Sequence, residues 1–158
     1  KPAGSTLPGF WSNNQESMLA YIEAAQWGLR GKVSDRATNH ALWAKISLDG
    51  NSQPAFSNPE RGDYYRLLVQ GTYDVTIQAS GYIPYHAHGL QVPDRGNTRL
   101  DVPLSNGDVN LDGKVDAADI QGAVNALLHR PNAPDADVDG LGVSATDLQA
   151  VMDKVLGK

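Results

Sequence analysis

The chain has 158 residues, 41% of them hydrophobic and 20% charged, with no cysteine and a formal net charge of -5. That is room for one large domain or two to three small ones with apolar cores; disulfides are excluded, and no apolar run approaches the ~20 residues needed to span a bilayer. The acidity sits at one end: from Gly107 onward nine Asp and no Glu face Lys114, Arg130, Lys154 and Lys158, whereas residues 1–106 balance, which makes nucleic acid a poor partner.

The opening Lys1-Pro2-Ala3-Gly4-Ser5-Thr6 has neither an initiator Met nor an apolar signal core, and it reads as a cut end. Ser12 followed by Gln15 has capping-box spacing, and Met18, Leu19, Ile22 and Ala25 form one stripe at helical period. A lone helix of this length is marginal in water, so the stripe must dock on the next segment or on a domain outside this chain.

From about Gly28 to Ser105 the pattern is that of strands separated by turn clusters. Ala44-Lys45-Ile46-Ser47-Leu48 and Thr72-Tyr73-Asp74-Val75-Thr76-Ile77-Gln78-Ala79 alternate apolar with polar, and Asp49-Gly50-Asn51 and Arg61-Gly62-Asp63 are turns. Strands are expected at 28–34, 41–48, 52–56, 63–68, 72–79, 82–90 and 98–104, with no helix between them, which indicates an all-β sandwich.

The last segment repeats itself. Asp119-Ile120-Gln121-Gly122-Ala123-Val124 is echoed by Asp147-Leu148-Gln149-Ala150-Val151-Met152, and an Asp-rich loop precedes each. Arg130-Pro131-Asn132-Ala133-Pro134 stops the first helix. At ~50 residues the two loop-helix units are small enough to need a metal for stability.

The loops supply one. Asp108, Asn110, Asp112, the Lys114 carbonyl, Asp116 and Asp119 fall at the oxygen-ligand positions of a twelve-residue Ca²⁺ loop, with Gly113 at its sharp turn. The second loop fits in two registers. Counting from Asp135 uses Asp135, Asp137, Asp139 and the Leu141 carbonyl, and leaves Asp147 one position late; this register is preferred because it needs only a one-residue bulge near Gly142. Counting from Asp137 leaves Asp147 one position early and puts Leu141 where a carboxylate belongs. Asp137, Asp139 and Asp147 serve in either, so two Ca²⁺ sites are expected, the second irregular.

The tandem Asp-Val-Asn-x-Asp-Gly-x-Val-Asp-x-x-Asp units resemble a dockerin, the calcium-dependent, EF-hand-like all-α module that binds cohesin domains in bacterial assemblies. Gly28-Leu29-Arg30-Gly31-Lys32-Val33-Ser34-Asp35, Gly62-Asp63-Tyr64-Tyr65-Arg66-Leu67-Leu68-Val69-Gln70-Gly71-Thr72-Tyr73 and Ala79-Ser80-Gly81-Tyr82 look like the transthyretin-like (prealbumin-like) sandwich that follows the catalytic domain of regulatory-type zinc metallocarboxypeptidases. Gln70 stands where that family usually has Pro. Lys1-Pro2, Leu7-Pro8-Gly9-Phe10-Trp11, Asn14, Leu19 and Tyr21-Ile22 are similar to the last helix of that catalytic domain, whose catalytic glutamate and zinc ligands would lie upstream of Lys1.

These resemblances imply three units: residues 1–27 as a catalytic-domain helix remnant, 28–106 as the sandwich and 107–158 as the dockerin. The chain itself would not be an enzyme. It would be a secreted, non-catalytic C-terminal part that anchors its parent peptidase to a cohesin at a cell surface or in a multienzyme complex. Partner choice would rest on Ala117, Ala118, Gln121, Ala145, Thr146 and Gln149, with Ala117-Ala118 where many dockerins carry hydroxyls.

Other readings rest on fewer residues. Tyr64, Tyr65, Tyr82 and Tyr85 have the composition of a sugar-binding platform, which would make the sandwich an adhesion or carbohydrate-binding module, although aromatics at strand period more often pack in a core. A purely structural Ca²⁺ unit packed on the sandwich is a further alternative. His86 and His88 share a strand face at partial-zinc spacing with no third ligand, and polar residues on an exposed face are the commoner case. The junction Pro103-Leu104-Ser105-Asn106-Gly107 allows either a fixed or a hinged arrangement.

Overall fold

The computed structural model describes residues 3–158. A short turn of helix at Gly4–Thr6 leads into α1 (Leu7–Ala24), followed by eight strands and two helices. The first helix begins before the expected capping box. Pro8, which has no N–H to lose, sits in the first turn, so Ser12 lies inside the helix and its hydroxyl donates to the Pro8 carbonyl at 3.0 Å. No residue of α1 is buried, and Met18, Leu19 and Ile22 are each more than half exposed. The apolar stripe therefore does not dock on the segment that follows it.

The strands are β1 (Gly28–Asp35), β2 (Lys45–Leu48), β3 (Asn51–Phe56), β4 (Asp63–Leu67), β5 (Gly71–Gln78), β6 (Tyr85–Val92), β7 (Asn97–Arg99) and β8 (Val102–Leu104). They form two sheets, β4-β1-β7 with β8 also on β1, and β3-β2-β5-β6. The protein is thus mostly a β-sandwich, with Leu29, Val33, Ile46, Tyr64, Val75, Ile77, Val102 and Leu104 buried between the sheets. Pro54 is tolerated in β3 because that strand pairs only with β2 and leaves its other edge free of the ladder.

Three expected strands differ in extent. The strand expected at 41–48 keeps a regular ladder only from Lys45, with Ala41 making a single bridge to Ser34. The one expected at 98–104 is split into β7 and β8, both parallel to β1. At the split, the Leu100 carbonyl turns inward to accept the buried Tyr64 hydroxyl at 2.7 Å, while Asp101 accepts the Lys32 N–H at 2.9 Å. Gly31 makes this possible, since a Cβ there would lie 1.8 Å from the Leu100 oxygen. The strand expected at 82–90 begins only at Tyr85, because Tyr82 and Ile83 are used elsewhere.

Tyr82 donates to Asp35 at 2.7 Å. Burial raises the phenol first and the Asp35 charge adds to it, so Tyr82 is pushed up to about 12. Burial also raises the Asp35 carboxyl, but the donors from Tyr82 and Thr38 outweigh it and hold the group below its ordinary value.

Helices α2 (Ala117–Leu127) and α3 (Ala145–Val155) pack on each other. Their core contains Val109, Ala123, Ala126, Ala136, Val138 and Val151, and it is completed by Ile83 from the sandwich side. The helical unit consequently shares a core residue with the sandwich instead of closing a separate core. The junction is packed: the Ile83 N–H donates to the Ser105 carbonyl at 2.9 Å, Gly107 donates to the Ser105 hydroxyl at 3.1 Å, and Ser105 is buried. Replacing Ile83 by Ala should cost about 2–5 kcal/mol. In urea unfolding followed by tryptophan fluorescence and far-UV circular dichroism, both signals should move to lower denaturant together; a shift in the helical signal alone would contradict a shared core.

Candidate metal centre

Each acidic loop closes on a buried aspartate in the first turn of the helix that follows it. Asp119 Oδ1 accepts the N–H groups of Val109 and Asn110 at 2.7 and 3.2 Å, and its Oδ2 accepts that of Asp116 at 2.8 Å. Asp116 in turn caps α2, forming a reciprocal capping box with Asp119. Asp147 repeats the arrangement: Oδ1 accepts Val138 and Asp139 at 2.9 and 3.4 Å, Oδ2 accepts Ser144 at 2.8 Å, and Ser144 caps α3. A single carboxylate thus gathers the start of the loop and the start of the helix around one point.

Across the first loop, Asp108 accepts Asp112 N–H at 3.1 Å and Gly113 N–H at 2.9 Å. Asp112 is further joined to Asn110 and to the Lys114 N–H. Asp108 and Asp119 are buried, whereas Asn110, Asp112, Lys114 and Asp116 are exposed at the rim. Positive φ at Leu111 and Gly113 folds the loop back over its own start.

In the second loop Asp137, Asp139 and Asp147 bring one carboxylate oxygen each to within 4.8 Å of one another. Asp137 accepts Gly140 N–H at 2.8 Å, as Asp108 accepts Gly113, and Asp139 accepts Leu141 N–H at 2.9 Å. The Val109/Asn110 pair on Asp119 matches the Val138/Asp139 pair on Asp147, so Asp137 is the counterpart of Asp108. This geometry favours the register counted from Asp137 over the one preferred from spacing alone. Asp135 is not one of the three: its Oδ2 pairs with the Arg36 guanidinium at 2.6 Å, its Oδ1 accepts the Asp137 N–H at 3.1 Å, and its carboxyl stays largely exposed. The physical reason lies outside the loop, in a cation supplied by the sandwich.

That cation is one of several contacts seating the second loop. Arg36 Nη1 also donates to the Asp137 carbonyl at 3.0 Å, and the His86 N–H donates to the Asp139 carbonyl at 2.7 Å. Gly140, at φ 86, lies under the Tyr85 ring so closely that a Cβ would come within 2.2 Å of it. Lys154 of α3 donates to the Gly81 carbonyl at 3.0 Å.

Asp108, Asp119, Asp139 and Asp147 are all buried, and among the described residues no basic side chain forms an ion pair with any of them. Backbone N–H donors satisfy part of their hydrogen-bonding capacity, but buried charge without countercharge is costly. Among the described residues the second loop brings three carboxylate oxygens together and the first does not; a hard divalent cation fits the second cluster, and Ca²⁺ tolerates its irregular geometry better than Mg²⁺ does.

The remaining candidates separate. Ala117, Ala118, Gln121, Ala145, Thr146 and Gln149 are all exposed, at equivalent places on the two helices, and Gln121 and Gln149 each bond the side chain four residues on. The four tyrosines do not form one platform: Tyr64 is buried, Tyr82 is tied to Asp35, Tyr85 covers Gly140, and Tyr65 alone is widely exposed. His86 is bonded to Thr76 at 3.1 Å and His88 to Asp74 at 3.3 Å, each with its own partner on β5.

Replacing Asp147 by Ala would leave three backbone donors unanswered and should lower stability by about 3 kcal/mol. Arg36→Ala, whose ion pair is partly exposed, should cost only about 1 kcal/mol. Thermal unfolding followed by circular dichroism gives the ranking, and an Arg36 variant weaker than the Asp147 variant would contradict the roles assigned here.

No family model matches the chain. Over 116 residues, 72% of this chain, it is 35% identical to carboxypeptidase D of Anas platyrhynchos. Over 83 residues it is 40% identical to the carboxypeptidase N catalytic chain of Rattus norvegicus. The chain spans only 8% and 18% of those two proteins. Among solved structures, a type II cohesin-X-dockerin complex from Acetivibrio cellulolyticus aligns with 80% of this chain and 93% of its own, at 15% identity and a TM-score of 0.40, a likeness too slight to argue from. The similarity to carboxypeptidases falls on their non-catalytic, transthyretin-like C-terminal part.

Proposed function

We propose that this chain is the non-catalytic end of a secreted zinc metallocarboxypeptidase and that its helical unit is a dockerin, a Ca²⁺-dependent module that attaches the enzyme to a cohesin. The observation that carries the reading is the set of four buried carboxylates in twin loops, without basic partners among the described residues, and each loop leading through a capping box into an amphipathic helix. In the first loop Asp108, Asn110, Asp112, the Lys114 carbonyl, Asp116 and Asp119 would hold the ion. In the second, Asp137, Asp139 and Asp147 would do so, with Asp135 reserved for Arg36.

The bound ion would supply the countercharge that no described basic side chain gives these carboxylates and fix the loop geometry on which the helix starts depend. Two helices held in register then offer a partner the exposed pair of surfaces around Ala117-Ala118-Gln121 and Ala145-Thr146-Gln149. The exposed stripe of α1 finds its place in the same reading. Leu7, Phe10, Trp11, Met18, Leu19 and Ile22 are the apolar face of a helix whose partner would be an upstream catalytic domain.

Two experiments test the reading. Ca²⁺ added to EDTA-treated protein should raise far-UV helicity, and Asp108→Ala with Asp112→Ala should remove the gain from the first loop; an unchanged response would contradict the site. Immobilised cohesins from the source organism should retain the chain in Ca²⁺ and release it in EDTA. Retention by none of them, with the Ca²⁺ response intact, would leave a calcium-stabilised spacer and sink the docking function.

A further inference from the structure

The outer face of the β4-β1-β7 sheet carries a second candidate site, remote in character from the acidic loops. At its centre is Arg30, which pairs in register with Tyr65 on β4 and with Arg99 on β7. All three side chains are exposed on one face, and Lys32 follows two residues along β1. Arg99 is held by Asp101 at 2.7 Å, while among the described residues Arg30 and Lys32 make no side-chain ion pair. Like charges directly opposite on neighbouring strands are unfavourable unless something of opposite sign lies between them.

The face is concave. A cavity of about 330 Å³ is lined by Arg30, Lys32, Asp63, Tyr65 and Arg99, within the size range of small-ligand sites. A smaller cavity of about 110 Å³ adjoins it, sharing Arg30 and Tyr65 and continuing to Trp27, Leu67 and Asn97. The groove is therefore cationic at one end and aromatic at the other, with the Tyr65 ring, 68% exposed, between them.

We propose that this groove binds an anionic oligosaccharide, with sulfate or carboxylate groups on the guanidinium forks of Arg30 and Arg99 and a sugar ring lying on Tyr65. Guanidinium forks match such oxyanions with two parallel hydrogen bonds, and an exposed phenol ring offers the flat apolar surface that a pyranose face covers. A peptide strand could not pair with β1 at the centre of the groove, because β1 is already bonded on both sides. The net charge of -5 disfavours a long polyanion, so the match is to a short stretch of two or three sugar units.

The test is calorimetric titration of the 158-residue chain with a heparin tetrasaccharide, beside cellotetraose and sodium sulfate. Binding of the charged sugar, weakened by salt, is expected, with little heat from the other two. Arg30→Ala and Tyr65→Ala should each weaken it by about tenfold or more, and Lys45→Ala on the opposite sheet should not. Both residues are exposed, and an unchanged circular dichroism spectrum establishes that the variants fold. Equal binding by Arg30→Ala, equal binding of cellotetraose or free sulfate, or no heat from the tetrasaccharide would each overturn the proposal.

Discussion

Two buried carboxylates organise the acidic end of this protein. Asp119 and Asp147 each take three backbone N–H groups from two parts of the chain that would otherwise have no reason to meet: the start of an acidic loop and the first turn of the helix after it. Every other feature of the helical unit follows from that convergence. The second loop is bent so that the Asp137 and Asp139 oxygens join that of Asp147, the helices start in matched positions, and their apolar faces meet over a small core. The same convergence creates the difficulty that a cation would solve, because negative charge is concentrated where water is excluded.

The sandwich contributes more than a spacer. It lends Ile83 to the helical core, caps the Asp137 and Asp139 carbonyls from Arg36 and His86, and lays Tyr85 over Gly140. Among the described residues these contacts fall on the second loop; the first, whose residues match the Ca²⁺ pattern more regularly, bonds within itself and to the start of α2. The irregular loop is thus the one packed against the sandwich, and its missing residue relative to the first falls after Gly142: Val143 alone precedes the Ser144 cap, where Lys114 and Val115 separate Gly113 from the Asp116 cap.

Much of this was legible before any coordinates. Strand alternation around Ile46 and Ile77 located the sandwich, and the repeated Asp spacing located both loops. What escaped was set by contacts distant in sequence. Nothing near Asp135 announces that Arg36 will claim it, so spacing alone preferred Asp135 as the start of the second loop where the geometry favours Asp137. Nothing near Leu100 announces that Tyr64 will draw its carbonyl inward through the gap left by Gly31, so one long strand was expected where there are two short ones. The tyrosines looked alike in composition and took four different environments: Tyr64 and Tyr65 point to opposite faces of β4, Tyr82 lies in the turn before β6, and Tyr85 starts that strand. By contrast, the true start of α1 was available locally: Pro8 is a first-turn residue, and it outweighed the capping-box spacing of Ser12 and Gln15.

The central claim is that both loops bind Ca²⁺ and that the ion neutralises the buried carboxylates. Calorimetric titration of EDTA-treated protein with CaCl₂, repeated on Asp119→Asn and Asp147→Asn, measures this most directly. The account predicts two ions per chain for the unaltered protein, one for each variant, and a melting temperature that rises with Ca²⁺ concentration, since a ligand at about a hundred times its Kd stabilises by ~2.7 kcal/mol. A chain that takes up no Ca²⁺ and whose melting temperature ignores it would contradict the account.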